Sequence, residues 1–176
     1  MSSDTPLPTP WLDPSVTVGD SPIAGRGLFA TEPIETGRVV VRLGGRLVSS
    51  EELAALLEAS DDYVDTVAVF DDMHLVLPPQ TAVHYGNHSC DPNLWHAGPY
   101  AIAARRPIAG GEELTVDYGT QTGAPFSMVC ACGAPSCRGV VTGEDWRIGA
   151  LQEAYTGHWT PVLARRIECE VSRGAR

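Results

Sequence analysis

The chain is organised by N-H-S-C-D-P-N over residues 87–93, E-L-T-V-D-Y over residues 113–118 and C-A-C-G-A-P-S-C over residues 130–137. The last run carries three cysteines within a few residues, and the first run carries a fourth. Four thiolates are a common ligand set for a tetrahedral structural zinc ion. The spacing therefore predicts a metal site that folds the later segment back over the earlier one.

The predicted zinc ligands share a side-chain thiol: Cys90, Cys130, Cys132 and Cys137. Four protein ligands leave no open coordination position, so the ion would be structural and would not activate water. Two alternatives stay open, namely free buried thiols, or a site completed by His88 or Cys169 in place of Cys90. Otherwise Cys169 is expected to be a buried thiol without a ligand role.

The length of 176 residues suits one domain with a real core. The hydrophobic fraction of 43% is ordinary, while 18 Gly and 14 Pro favour short strands and turns over long helices. The cysteine pattern and the lack of a signal-peptide pattern or a long apolar run predict a reducing compartment and no membrane association.

The net charge of −10 argues against direct nucleic-acid binding, which rests on clustered cations. It is compatible with a cationic peptide partner, although a solvated acidic surface is the commoner explanation. All 12 basic residues are Arg, and the chain has no Lys. That composition is typical of a bacterial, high-GC coding sequence and favours a cytoplasmic location, or a nuclear one if the source is eukaryotic.

The local pattern predicts a flexible tail over residues 1–14, with Trp11 as a candidate docking point. Ser49 and Glu52 form a capping-box pattern that opens a helix ending near Ser60. Further helices are predicted over residues 144–155 and 161–171. Strands are predicted over residues 28–30, 38–43, 46–48, 64–70, 74–77, 100–104 and 113–118.

The three runs, together with G-R-G over residues 25–27, resemble the ordered motifs of SET-domain protein-lysine methyltransferases with a post-SET zinc segment. The resemblance implies a mainly β fold, the SET-like β-clip of small curled sheets with a knot-like crossing, with peripheral helices and a C-terminal zinc-bound segment. It implies a catalytic domain over residues 15–120, a post-SET segment over residues 121–143 and a helical extension over residues 144–176.

The resemblance also implies a methyl-transfer site. The residues implied in binding S-adenosyl-L-methionine are Gly25, Arg26, Gly27, Asn87, His88 and Tyr118. Tyr118 would be catalytic, at the meeting point of the cofactor and lysine channels. The residues alone leave alternatives open: the glycines could form a simple turn, Asn87 could serve turn chemistry, and Tyr118 could be an ordinary core residue.

The chemical requirements of methyl transfer to an amine are consistent with such a site. Methyl transfer from a sulfonium to an amine is an in-line displacement, so alignment and exclusion of water are the main tasks. The amine must be neutral, whereas a free lysine has a pKa of about 10.4. A dry channel and a nearby positive charge both lower that pKa, and a tyrosine hydroxyl can orient the amine lone pair.

The chain departs from the family pattern along the implied substrate channel. Leu43 stands where a tyrosine is expected, and Val116 stands where Phe or Tyr is common. Tyr85, just before the first run, is a candidate aromatic wall. Small residues at Leu43 and Val116 predict a wider channel that favours multiple methylation.

The leading hypothesis is an S-adenosylmethionine-dependent lysine methyltransferase acting on a histone, ribosomal or DNA-associated protein. The absence of Lys fits an enzyme that would otherwise modify itself. One alternative is an inactive SET-like module that binds cofactor or peptide. Another is a zinc-stabilised β domain with an unrelated role.

Overall fold

The computed structural model describes residues 5–61 and 64–174. Short strands dominate this part of the chain, as its Gly and Pro content predicts. The strands are β1 (Trp11–Leu12), β2 (Val16–Asp20), β3 (Arg26–Ala30), β4 (Val39–Arg42), β5 (Arg46–Ser49), β6 (Thr66–Phe70), β7 (Met73–Val76), β8 (Asn87–His88), β9 (Leu94–His96), β10 (Ala101–Ala104), β11 (Glu113–Val116), β12 (Ser127–Val129) and β13 (Val140–Thr142). The helices are α1 (Ser50–Ala59), α2 (Gly149–Ala154) and α3 (Pro161–Gly174), with 3₁₀ turns at Ala82–Tyr85, Tyr118–Thr120 and Asp145–Arg147.

The described strands form four small sheets, ordered β1-β4-β10-β9, β2-β3-β11-β8, β5-β7-β6 and β12-β13. Aliphatic residues from the first three sheets meet in one core, in which Val40, Leu75 and Leu114 are completely buried. A second cluster joins α3 to the segment before it through Trp146, Tyr155 and Trp159. The predicted mainly β fold of small sheets with peripheral helices is therefore confirmed.

The parallel pairing of β8 with β11 positions the site. Asn87 lies opposite Thr115, and His88 lies opposite Val116. Strand β11 also pairs with β3, which begins within the G-R-G run. Three separate sequence runs are thus brought side by side in one sheet.

The N-terminal segment differs from the flexible tail predicted over residues 1–14. Trp11 and Leu12 form β1 and pair with β4, and Leu7 makes a bridge to Gly44. The close approach explains Gly44, because a Cβ there would lie 2.3 Å from the Thr9 backbone. Part of the predicted tail is therefore an edge strand; residues 1–4 lie outside the described residues.

Local sequence signals predicted α1 and the start of α3, but not the structure of the segment between residues 144 and 155. The capping box of Ser49 and Glu52 is present in full at the start of α1. The helix predicted over residues 144–155 is instead a 3₁₀ turn followed by α2, and the strand predicted over residues 113–118 ends at Val116. Cys169, expected to be buried, is exposed on α3. In the described part of the chain, no helix has both the length and the apolar character needed to cross a bilayer.

Candidate active site

The four predicted metal ligands meet at one point, which we call the thiol cluster: Cys90, Cys130, Cys132 and Cys137. Their sulfur atoms all lie within 4.8 Å of one another, and the Cys90 and Cys130 sulfurs are 3.8 Å apart. A tetrahedral ion with Zn–S bonds of about 2.3 Å needs sulfur atoms about 3.8 Å apart. The donor set and spacing therefore fit a four-thiolate metal site, and Cys169 takes no part in it.

Backbone N–H groups surround the thiol cluster. The amide of Arg138 lies 3.3 Å from the Cys90 sulfur, that of Cys90 lies 3.5 Å from Cys132, and that of Gly139 lies 3.4 Å from Cys137. Such N–H···S bonds stabilise thiolates over thiols. Backbone N–H donors thus face three of the four sulfur atoms of the cluster.

The protonation of the cluster also favours a cation. Burial and contacts with the other thiols raise the pKa of Cys130 to about 12. Burial acts against ionisation of Cys132 as well, yet hydrogen bonds from the Cys90 and Ala134 amides lower its pKa to about 6. Four neighbouring thiols cannot all ionise unless a cation offsets their mutual repulsion.

The buried His88 ring contacts the thiol cluster through the Cys90 sulfur. Its Nδ1 accepts the Tyr118 backbone N–H at 3.2 Å, so in the neutral ring Nε2 carries the proton and faces the Cys90 sulfur at 3.3 Å. Burial lowers the pKa of His88, which keeps the ring neutral. Both ring nitrogens are therefore occupied by protein atoms, and His88 orients the Cys90 side chain.

Arg138 ties the cysteine segment to the end of β11. Its guanidinium donates two hydrogen bonds, of 2.7 and 2.8 Å, to the completely buried Asp117 carboxylate. Its Nε lies 2.9 Å from Asp145 Oδ2, close enough for an ion pair but without hydrogen-bond alignment. Tyr155 donates its hydroxyl proton to Asp117 at 3.2 Å. We call the thiol cluster with Arg138 and Asp117 the lid anchor.

The run of Gly25, Arg26 and Gly27, which we call the glycine loop, lies against the Asn87 side chain. The Asn87 amide nitrogen is within hydrogen-bond distance of the Arg26 carbonyl, the Ser21 hydroxyl and Glu113 Oε1. A Cβ on Gly27 would lie 2.2 Å from that same Glu113 oxygen, so a side chain there would displace the Glu113 carboxylate from Asn87. The loop is thus held by the Asn87 side-chain nitrogen.

An apolar cavity of about 460 Å³ lies beside Tyr118. Its lining includes Leu43 and Val116, the two positions that depart from the expected pattern, and Met128 from the cysteine-rich hairpin. The Tyr118 hydroxyl donates to the Gly86 carbonyl at 2.8 Å. The hydrogen-bonded Tyr118 hydroxyl and Gly86 carbonyl thus belong to residues that line a cavity with mainly aliphatic walls.

Tyr85 is not on this wall. Instead, the Arg26 guanidinium carbon lies over the Tyr85 ring, 4.6 Å from the ring centroid. The residue predicted as an aromatic wall of the channel therefore stacks on the glycine loop. The cavity is bordered by two groups that the sequence did not indicate, Asp65 and His84, whose side chains are 2.7 Å apart. Nothing in their separate sequence positions signalled this contact.

The chain matches a family model. The description of that model is "SET domain", and it covers residues 25–119, from the glycine loop to just past Tyr118. The chain belongs to the SET-domain family. Its resemblance to that family is thereby confirmed over more than half of its length.

Two relatives of this SET-domain chain are large proteins. The chain is 34% identical over 142 residues to the histone-lysine N-methyltransferase trithorax of Drosophila virilis, covering 70% of this chain and 4% of that protein. It is 31% identical over 140 residues to human histone-lysine N-methyltransferase 2B, covering 70% of this chain and 5% of that protein. The chain thus spans a small part of the length of these relatives.

A solved structure shares the fold. The methyltransferase domain of human histone-lysine N-methyltransferase SETMAR superposes with a TM-score of 0.59 at 24% identity, over 70% of this chain and 56% of that one. This likeness supports the SET architecture of the β sheets described above.

Proposed function

We propose that this chain is a protein-lysine methyltransferase that uses S-adenosyl-L-methionine. The observation that carries the proposal is the position of Tyr118, whose hydroxyl lies on the wall of an apolar cavity and whose neighbours join the Asn87 strand to the lid anchor. Membership in the SET-domain family and relatives named as histone-lysine methyltransferases support it.

The glycine loop and Asn87 are the groups we assign to the cofactor. Gly25 has a φ of +48°, and a side chain on Gly27 would displace the Glu113 carboxylate, so glycine at both positions leaves the backbone bare where a ligand would approach. The Asn87 oxygen would accept from the ligand's ammonium group, and His88 would contribute its backbone, because its ring is occupied. S-adenosylmethionine, when bound, supplies an electrophilic methyl group.

We assign the cavity to the lysine side chain of the substrate. Aliphatic walls exclude water and lower the pKa of an enclosed ammonium, which favours the neutral nucleophile. The Gly86 carbonyl has a second lone pair, which accepts one amine N–H, while the Tyr118 hydroxyl that it holds fixes the direction of approach. The chain's residues thus align the amine and keep its lone pair unprotonated.

The thiol cluster is proposed to bind Zn²⁺ as a structural ion. With four sulfur ligands it offers no position for substrate or water, so its contribution is to fasten residues 127–142 beside the cavity. Met128 of that hairpin reaches the cavity lining.

The proposed substrate is a protein that presents a lysine, with histones as the class suggested by the names of the relatives. These relatives are eukaryotic, which supports the nuclear alternative and gives no support to the bacterial, cytoplasmic one. The ribosomal and DNA-associated alternatives stand as further proteins for a substrate panel.

The direct test is transfer of a radiolabelled methyl group to core histones and to a panel of basic proteins. Because the chain has no Lys, any labelled lysine belongs to the added substrate. We expect Tyr118→Phe to lower the rate by about a hundredfold through loss of alignment. Tyr85→Phe also removes a tyrosine hydroxyl, but at a residue outside the cavity lining. Its transfer rate should therefore stay near that of wild type.

Two outcomes would overturn parts of the proposal. Binding of S-adenosylmethionine in calorimetry without transfer to any protein of the panel would favour an inactive binding module. Equal rates for Tyr118→Phe and Tyr85→Phe would remove the Tyr118 hydroxyl from the mechanism.

A further inference from the structure

The rim of the cavity carries charge, whereas its floor does not. The side chains of Asp65 and His84 are 22% and 21% exposed, while Leu28 and Leu114 on the same lining are buried. Among the described lining residues, Asp65 and His84 are the ones that can form an ion pair. The pair thus lies on a more exposed part of the lining than the aliphatic floor.

His84 holds the Asp65 carboxylate in one orientation. Its Nδ1 lies 2.7 Å from Asp65 Oδ2, and its Nε2 lies 2.9 Å from the Pro78 carbonyl. A carbonyl only accepts, so Nε2 carries a proton and another proton lies between Nδ1 and the carboxylate. The ring is therefore fixed at both nitrogens, and Asp65 is fixed through it.

The second carboxylate oxygen of Asp65, Oδ1, is not the one that faces His84. Oδ1 makes no hydrogen bond with the described residues, while the backbone carbonyl of Asp65 accepts from the Leu77 amide. Burial raises the pKa of Asp65, and the adjacent His84 opposes that rise. A partly desolvated carboxylate oxygen without a donor gains from a cationic donor more than from a neutral one.

We propose that Asp65, positioned by His84, is a specificity residue that accepts the charged ammonium of the target lysine at the cavity rim. This inference rests on the proposed function, because it places a lysine in this cavity. An ammonium pays a large desolvation cost on entering an apolar channel, and the carboxylate at the rim offsets part of that cost. Neutral side chains of similar length receive no such compensation, so the rim selects lysine before deprotonation.

The test compares n-butylammonium, which copies the end of a lysine side chain, with 1-butanol, its neutral isostere. Binding of each is followed by NMR at the methyl groups of Leu43 and Val116, which requires no turnover. We expect wild type to bind the ammonium about three- to tenfold more tightly than the alcohol. Asp65→Asn should abolish this preference.

The matched control is Asp71→Asn, the same change on an exposed carboxylate that pairs with Arg165. Asp71→Asn changes the net charge by the same amount as Asp65→Asn but lies away from the cavity. It should therefore retain the preference for n-butylammonium over 1-butanol. The inference is overturned if wild type binds both ligands equally, or if the two variants behave alike. His84→Phe should weaken the preference without abolishing it, and an unchanged preference would remove His84 from the assignment.

Kinetics separate this inference from the proposed function. With core histones as substrate, Asp65→Asn should raise KM about three- to tenfold and leave kcat within about twofold. Absence of methyl transfer by wild type together with an intact ammonium preference would contradict only the proposed function. Methyl transfer by wild type with identical KM in the Asp65 and Asp71 variants would contradict only the rim assignment.

Discussion

The lid anchor and the cavity wall lie side by side but are built in opposite ways. In the lid anchor, polar groups have specific partners: Asp117 receives two bonds from Arg138, and the cluster sulfurs face amide N–H groups. The wall at Leu43 and Val116 is aliphatic and encloses open space. A single change should therefore break the anchor, whereas the wall should tolerate changes that fill its volume.

The largest effect is expected from Cys132→Ser. Loss of one thiolate should abolish stoichiometric zinc binding and sharply lower the unfolding temperature, because metal binding is coupled to folding of residues 127–142. Metal analysis measures the zinc content, and thermal unfolding measures the unfolding temperature. Cys169→Ser, the same substitution at an exposed thiol on α3, should match wild type. Full zinc content in the Cys132 variant would show that the anchor does not need four sulfurs.

The same contrast explains what the sequence could and could not predict. The meeting of the four thiols was predictable because metal chemistry restricts the donor type, and the start of α1 was predictable because its capping box is local. The Asp65–His84 contact was not, since it joins positions that only the tertiary fold brings together. Tyr85 was misplaced for the same reason: the 3₁₀ turn at Ala82–Tyr85 directs its ring to Arg26.

Arg138→Met should have the next largest effect. It leaves the buried Asp117 carboxylate without its counter-ion, which should lower the free energy of unfolding by about 3–5 kcal/mol. Arg165→Met removes an exposed ion pair and should cost less than about 1 kcal/mol. Urea unfolding of the two variants provides the measurement. Similar losses in both would mean that the Arg138 pair contributes no more than a surface contact.

Val116→Phe should have the smallest effect on stability. The cavity has room for the ring, so the free energy of unfolding should stay within about 1 kcal/mol of wild type. Val48→Phe, at a completely buried site off the cavity lining, should cost about 1–3 kcal/mol. By narrowing the channel, Val116→Phe should also shift products toward fewer methyl groups per lysine, as read by mass spectrometry. An unchanged product pattern would count against a lysine channel at Val116.

The most direct test of the account is methyl transfer to core histones while zinc is removed by a chelator and then restored. We expect transfer to fall with the zinc content and to return when zinc is added, because the thiol cluster fastens the hairpin whose Met128 lines the cavity beside Tyr118. Thermal unfolding of the same samples reports whether the remaining fold survives. Full methyl transfer by a folded, zinc-free protein would contradict the account.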